Sequence, residues 1–356
     1  MGWKARALGV AGALVGAMCF STVPVLASDG HTIVVTPGHS IQAAVDSAKP
    51  GDTIKVEEGT YQENVLITTD RLSVRGGGAG KTILTAPAND NGCGICIFGQ
   101  GVPFGVITQF VSGDRISDLT VSNFGFAGVF GYGTDRLQVT RVDASGNLGY
   151  GISRFNSTRT VFSHNRAWGS HEAGFYVGDS PDANTLVVEN QAWNNDLGIF
   201  IRHAHGVTVT ENHSWANCFG LLVLDDGQPG GAGDVNITDN NISGNNQFCP
   251  ATPDPSSPPA HGGAGVVLFG AIRTVVSDNE INNNGVAQVE ALGRGGVVVI
   301  SAAPFGGGNP LNNTVKDNEI LNNSQFDILW DGSGTGNSFL DNECKTSVPP
   351  GLCHRD

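Results

Sequence analysis

Gly174-Phe-Tyr-Val-Gly-Asp179, Gly198-Ile-Phe-Ile-Arg-His203 and Gly220-Leu-Leu-Val-Leu-Asp225-Asp226 are three copies of one unit. Between them, Leu186-Val-Val-Glu-Asn190-Gln-Ala-Trp193 and Val207-Thr-Val-Thr-Glu-Asn212-His-Ser-Trp215 repeat in the same register. The leading glycines fall 24 and 22 residues apart, the period of a stacked solenoid. Each copy holds two short alternating apolar runs, a strand signal too short for a helix. One such coil cannot bury its apolar face alone, so its neighbours must stack on it. The expected fold class is all-β.

Counting outward, the glycine column runs through Gly128, Gly151, Gly174, Gly198 and Gly220, then Gly265 and Gly296, with Asp327 in the same place on the last coil. The second strand of each coil ends in Asn165, Asn190, Asn212, Asn240, Asn279, Asn318 and Asn342. Such a column fits a ladder in which stacked amides satisfy one another and the turn backbone. It also generates N-x-S/T matches by chance, so those are not read as glycosylation sites. Glu189, Glu211, Asp239, Asp278, Asp317 and Asp341 precede the ladder; like charges at this spacing either keep the edge from pairing or invite a cation.

With 51 glycines and 7% aromatics in 356 residues the chain is rich in turns, and it lacks the triplet period of collagen. A formal charge of −14 makes nucleic acid and anionic membranes poor partners. It permits calcium without requiring it. Lys4 and Arg6, the apolar run Ala7 to Phe20 and Val25-Leu-Ala27 read as a signal peptide over residues 1–27, cleaved before Ser28. No later run reaches the length of a membrane span. The expected product is a secreted monomer, extracellular or periplasmic.

The solenoid is expected over residues 28–345. Ser40-Ile-Gln-Ala-Ala-Val-Asp-Ser-Ala48 reads as a short helix with Ser40 as N-cap, plugging the open end of the stack. Residues 246–263, with a proline-rich run after Cys249, and the glycine-rich 302–310 are loop insertions, which usually wall a site or cover an edge. Residues 346–356 form a tail. Six cysteines remain after the signal, and an oxidising compartment favours disulfides. Cys344 with Cys353 is the preferred pair, Cys218 with Cys249 would pin the long loop, and Cys93 with Cys96 is unusually tight. No metal site is assigned, zinc being the weaker reading of Cys93-x-x-Cys96.

Ser40-Ile-Gln-Ala-Ala-Val, Pro50-Gly-Asp-Thr-Ile and Gly59-Thr-Tyr61 closely resemble the N-terminal cap of right-handed parallel β-helix proteins of the pectate-lyase-like superfamily, and the later coils resemble its short repeats. The likeness covers roughly residues 31 to 343. It implies a single-stranded right-handed parallel β-helix of about a dozen coils. Architecture follows from it more strongly than reaction.

In each first strand the residues one and three places after the glycine should point inward and those two and four places after it outward. The inward set, Phe175/Val177, Ile199/Ile201 and Leu221/Val223, is apolar as required. Tyr176, Phe200, Arg202, Leu222 and Leu224 should face out, with Asp179, His203 and Asp225-Asp226 just beyond. Coils lie about 4.8 Å apart, so Tyr176, Asp179, Arg202, His203, Asp225 and Asp226 should converge within a sugar's reach. Carboxylates, an imidazole and a guanidinium together suit acid–base chemistry on a sugar. Charged residues at strand ends are also ordinary turn residues. Trp168, Trp193 and Trp215, each three places after a ladder asparagine, should stack along one edge, either binding sugar faces or stabilising the solenoid.

Tyr176-x-x-Asp179 followed by a basic coil resembles alginate epimerases, whose proximal histidine is replaced here by Ser180-Pro181. Asp225-Asp226 resembles the acidic pair of polygalacturonases, without their Gly-His-Gly segment. The expected function is a polysaccharide-active enzyme using lyase or epimerase chemistry on the exposed parallel sheet. An inverting glycoside hydrolase, a non-catalytic saccharide-binding or envelope protein, and a periplasmic metal-maturation accessory remain as alternatives.

Overall fold

The computed structural model describes residues 30–101, 106–251 and 258–353; the expected signal segment lies outside them. The chain winds as one parallel β-helix with three strands per coil. Its front sheet contains Cys93–Phe98, Ala127–Tyr132, Tyr150–Phe155, Ala173–Ser180, the first part of Leu197–Thr210, Phe219–Leu224, Ala264–Phe269, Gly295–Ile300 and Ile328–Trp330. Each pairs in parallel with the next coil. The glycine register holds throughout. Val297 stands opposite Ile328, which puts Asp327 in the Gly296 column.

The two expected runs per coil become three strands because the second divides at a one-residue corner. Val161–Ser163 and Arg166–Trp168, for example, flank His164, whose φ is +57°. Glu189, Glu211, Asp239, Asp278, Asp317 and Asp341 all hold this corner with φ between 49° and 59°. The acidic column is thus the set of left-handed turns, a conformation short polar side chains tolerate better than branched ones.

The asparagine ladder is continuous. Each side-chain amide of Asn165, Asn190, Asn212, Asn240, Asn279 and Asn318 donates to the next carbonyl oxygen at 2.9–3.0 Å. A second ladder five residues further on runs from Asn195 through Asn217, Asn245 and Asn284 to Asn323. It ends on the Asp327 carboxylate.

Inside lies the core predicted from alternation: Phe175, Val177, Ile199, Ile201, Leu221 and Val223 are all at or below 1% exposure. Asp114 is a carboxyl buried among them. It accepts from the Leu72 N–H at 2.8 Å, while its other oxygen is buried without a partner. Burial pushes its pKa up to about 7, against the pull of that N–H.

The cap helix spans Ile41–Ser47, with Ser40 Oγ accepting from Ala43 N–H at 3.1 Å and burying Ile41, Ala44 and Val45. The Glu63 carboxylate accepts from Ile41 and Gln42 N–H, finishing the helix start. All three expected disulfides form: Cys93–Cys96, Cys218–Cys249 and Cys344–Cys353. The tail departs from expectation. Ser347–Val348 joins the front sheet, because Asp327 accepts from Lys345 and Thr346 N–H at 3.0 and 3.1 Å and draws the chain through part of one more coil. Among the described residues no helix is long and apolar enough to cross a membrane.

Candidate functional site

The outer surface of the front sheet is not the open face expected. Tyr176 is 1% exposed, and Phe200 and Leu222 are each 6% exposed. The reason is a column of rings stacked coil on coil. Phe155 lies 4.4 Å from Tyr176, Tyr150 4.9 Å from it, and Phe200 meets it edge-on at 5.2 Å. Rings at coil spacing bury each other's faces. The charged residues therefore act from the strand ends, around an apolar floor.

At the C-terminal ends, Asp179 and His203 both take positive φ, 50° and 47°, which turns the chain out of the sheet at the same height. His203, 1% exposed, stands between two carboxylates: Nδ1 is 3.3 Å from Asp179 Oδ1, and Nε2 lies against Asp226 Oδ1. Arg202 donates to Asp226 Oδ2 from Nη2 at 2.8 Å and from Nε at 3.2 Å. Burial opposes the charge on Arg202, but its bonds to Asp226 and the neighbouring Tyr176 hold its pKa raised. Asp226 is the converse: burial would raise its pKa, yet Arg202 and His203 leave it lowered. Burial raises the pKa of Tyr176 and keeps it a neutral phenol beside Arg202. Its buried hydroxyl makes no hydrogen bond of ordinary geometry.

Asp225 does not join this group as expected. Its backbone N–H continues to Phe269, its carboxylate accepts from Gly227 N–H at 3.0 Å, and a loop at Gly306–Gly308 packs directly on it. Asp226 takes the place instead, because the chain after Leu224 opens into a loop rather than making the left-handed corner of the two coils before. Asp225 thus joins the walls. The insertion 302–310 contributes a short 3₁₀ turn, Ala303–Phe305, with Phe305 edge-on to Phe269 at 5.3 Å.

The opposite ends of the strands carry residues that reading along the glycine column missed. Tyr150 donates to Glu172 Oε1 at 2.5 Å. Although Glu172 is exposed as a residue, desolvation of its carboxylate raises its pKa, against the pull of Tyr150 and Arg202. One coil on, burial pushes Asp196 up to about 6, with the Glu172 charge adding to the rise. The available signal was an acid two places before the glycine in consecutive coils, at Glu172 and Asp196. Beyond Asp196 stands the other insertion, where Phe248–Cys249 pairs antiparallel with His261–Gly262.

The tryptophans stack as expected, Trp168 on Trp193 at 4.8 Å and Trp193 on Trp215 at 4.9 Å, within 10° of parallel. They lie on a back sheet, and their faces are spent on one another. Ser145 stands opposite Trp168 in the preceding coil, and His213 leans on Trp215 at 4.2 Å. Among the described residues the one grouping of metal-ligand type is Asp196 with Cys218 and Cys249. Those two sulfurs are joined to each other, so it offers no thiolate.

No curated protein matches the chain by sequence. The A-module of the mannuronan C-5 epimerase AlgE4 of Azotobacter vinelandii is 19% identical, with 85% of this chain and 90% of that one covered at a TM-score of 0.62. PfbA, a surface adhesin of Streptococcus pneumoniae, is 12% identical over 86% of each chain at 0.55. The alginate lyase of Paenibacillus sp. str. FPU-7 is 12% identical, with 89% and 99% covered, at 0.50. At such identities the likeness is one of fold. The right handed beta helix region matches residues 77–230 and 127–302, and with the coil register above this places the chain in the right-handed β-helix family.

Proposed function

We propose that this protein acts on a uronate-containing polysaccharide by moving the proton on the carbon next to the carboxylate, as a lyase or an epimerase. The observation that carries the reading is the network Asp179–His203–Asp226–Arg202 beside the buried Tyr176 hydroxyl. In the free protein Asp226 occupies Arg202. A sugar carboxylate replaces Asp226 there, neutralising its charge on the guanidinium and acidifying the adjacent C–H. Released from Asp226, His203 Nε2 takes the proton, with Asp179 holding the imidazolium through Nδ1. Tyr176, kept neutral by burial, returns a proton either to the sugar's other face, giving the epimer, or to the departing glycosidic oxygen, giving an unsaturated end. The likeness in fold to an epimerase module and an alginate lyase supports the substrate class. The tryptophans enter as scaffold.

A second reading rests on His203 being 1% exposed with both ring nitrogens engaged. In it the network is a structural knot beneath a non-catalytic saccharide-binding groove, and the adhesin of the same fold supports it. One experiment separates them. The protein is incubated with polymannuronate, polyguluronate and polygalacturonate in D₂O, with and without calcium. Ultraviolet absorbance of an unsaturated product marks a lyase, and deuterium gained at the sugar marks an epimerase. New reducing ends without absorbance mark a hydrolase, and binding on a glycan array with none of these marks the binder.

A further inference from the structure

Arg154 sits where the fold asks for an apolar residue. It stands three places after Gly151, in the inward column of Ile97, Val177, Ile201, Val223, Leu268 and Val299. Its side chain is wholly buried, opposite Gly131 of the preceding coil. No carboxylate pairs with it directly. Nη1 donates to Ser157 O at 2.8 Å and to Ser180 Oγ, Nη2 donates to Thr185 Oγ1 at 2.6 Å, and Nε is buried without a partner. A guanidinium in such surroundings is costly, and burial lowers its pKa to about 9, with Tyr176 and Asp179 opposing the fall.

Those two neighbours give the cost a purpose. Ser180 Oγ, besides receiving Arg154, donates to Gly178 O at 2.8 Å and accepts from Ser157 N–H at 3.0 Å. It therefore clamps the turn on both sides of Asp179, whose φ of 50° aims the carboxylate at His203. Local rules broken without structural gain concentrate at functional sites. We propose that Arg154 is a positioning residue, a cation enclosed in the core that fixes the Asp179 corner through Ser180. Its relevance to turnover rests on the acid–base reading above; its action on Asp179 does not.

The test follows amide hydrogen exchange at Ser157 and the backbone signals of Asp179 and Ser180 by NMR in the free protein, comparing wild type with R154M and R154K. Ser157 N–H donates to the same Ser180 Oγ that Arg154 holds. Removing that donor in R154M should speed exchange at Ser157 by about tenfold or more and move the Asp179 signals. R154K, which keeps a cationic donor, should stay near wild type. On polymannuronate or polygalacturonate, R154M should then lose about tenfold or more in kcat with KM little changed. Unchanged exchange and unchanged Asp179 signals in a folded R154M would overturn the proposal. If R154M does not fold, the neutral but hydrogen-bonding R154Q replaces it. Should both neutral variants fail to fold while R154K folds, the arginine serves the scaffold alone and the proposal is wrong. A loosened corner in a protein inactive on every uronate polymer would sink the proposed function and leave the positioning role standing.

Discussion

Replacing Asp114 by Asn tests the polar spot in the core through pH. The folded protein holds this carboxyl near pKa 7, against 3.8 for the free side chain, because it is buried with one oxygen unpartnered. The sign follows directly. An acid whose pKa is raised on folding is protonated in both states at pH 3 and costs nothing there. As pH rises from about 4 to 7 the unfolded chain sheds a proton that the folded chain retains, so stability falls, levelling off above pH 7. Roughly three pKa units at about 1.4 kcal/mol each bound the loss at about 4 kcal/mol, and about 2–4 kcal/mol is expected after relaxation. D114N keeps the acceptor for Leu72 N–H and removes the ionisation. The free-energy difference between D114N and wild type, from urea unfolding at pH 4.5, 6 and 8, should therefore move in favour of the variant as pH rises. A difference constant within about 0.5 kcal/mol across that range would refute the argument.

Other expectations concern the ladder, the network, the rings and the loop. N212A removes an amide that bonds Asn240, Val187 O and Thr210 O and receives two donors from Asn190. It should cost about 3–5 kcal/mol in unfolding free energy, and N342A, on the last rung, clearly less. R202M should lower kcat/KM on a uronate polymer by about a hundredfold or more while leaving weak binding of a neutral glucan unchanged; equal losses on both would remove Arg202 from carboxylate recognition. W193A should cost about 2–3 kcal/mol and change oligosaccharide affinity less than twofold, as calorimetry would read it. Opening Cys218–Cys249 with a paired serine substitution should destabilise by about 2–4 kcal/mol and expose the 246–263 loop to protease first.

Much of the architecture was legible because a coil must repeat its constraints. A glycine and an asparagine recur wherever the backbone closes on the next turn, and a count of two dozen residues finds them. The second ladder obeys the same logic, but Ser170, between Asn147 and Asn195 in that column, is not an asparagine, which breaks the column for a reader following identity. The division into three strands was hidden differently, since a corner of one left-handed residue leaves no gap in the apolar pattern. At the site, register brought Asp179, Arg202 and His203 together. Register could not choose between Asp225 and Asp226, because that choice depends on the φ of a single residue at the mouth of a loop. Arg154 escaped for a plainer reason: it precedes the coils whose alternation was counted, so its inward position went unread. The buried outer face was missed because each ring looks exposed in its own coil and is covered only by the next.

The hydrogen bond between Asn165 and Asn190 spans 25 residues of chain, and that between Asn240 and Asn279 spans 39, yet the two differ by only 0.1 Å. The rungs keep their spacing whatever length of chain is spliced between them. Natural variation, or an engineer, can thus exchange the excursion at 246–263 without moving the ladder, whereas the loop after Asp226 and the one at 302–310 pack on each other and change together. Selectivity for a new polymer could be reshaped there while the chassis beneath stays untouched.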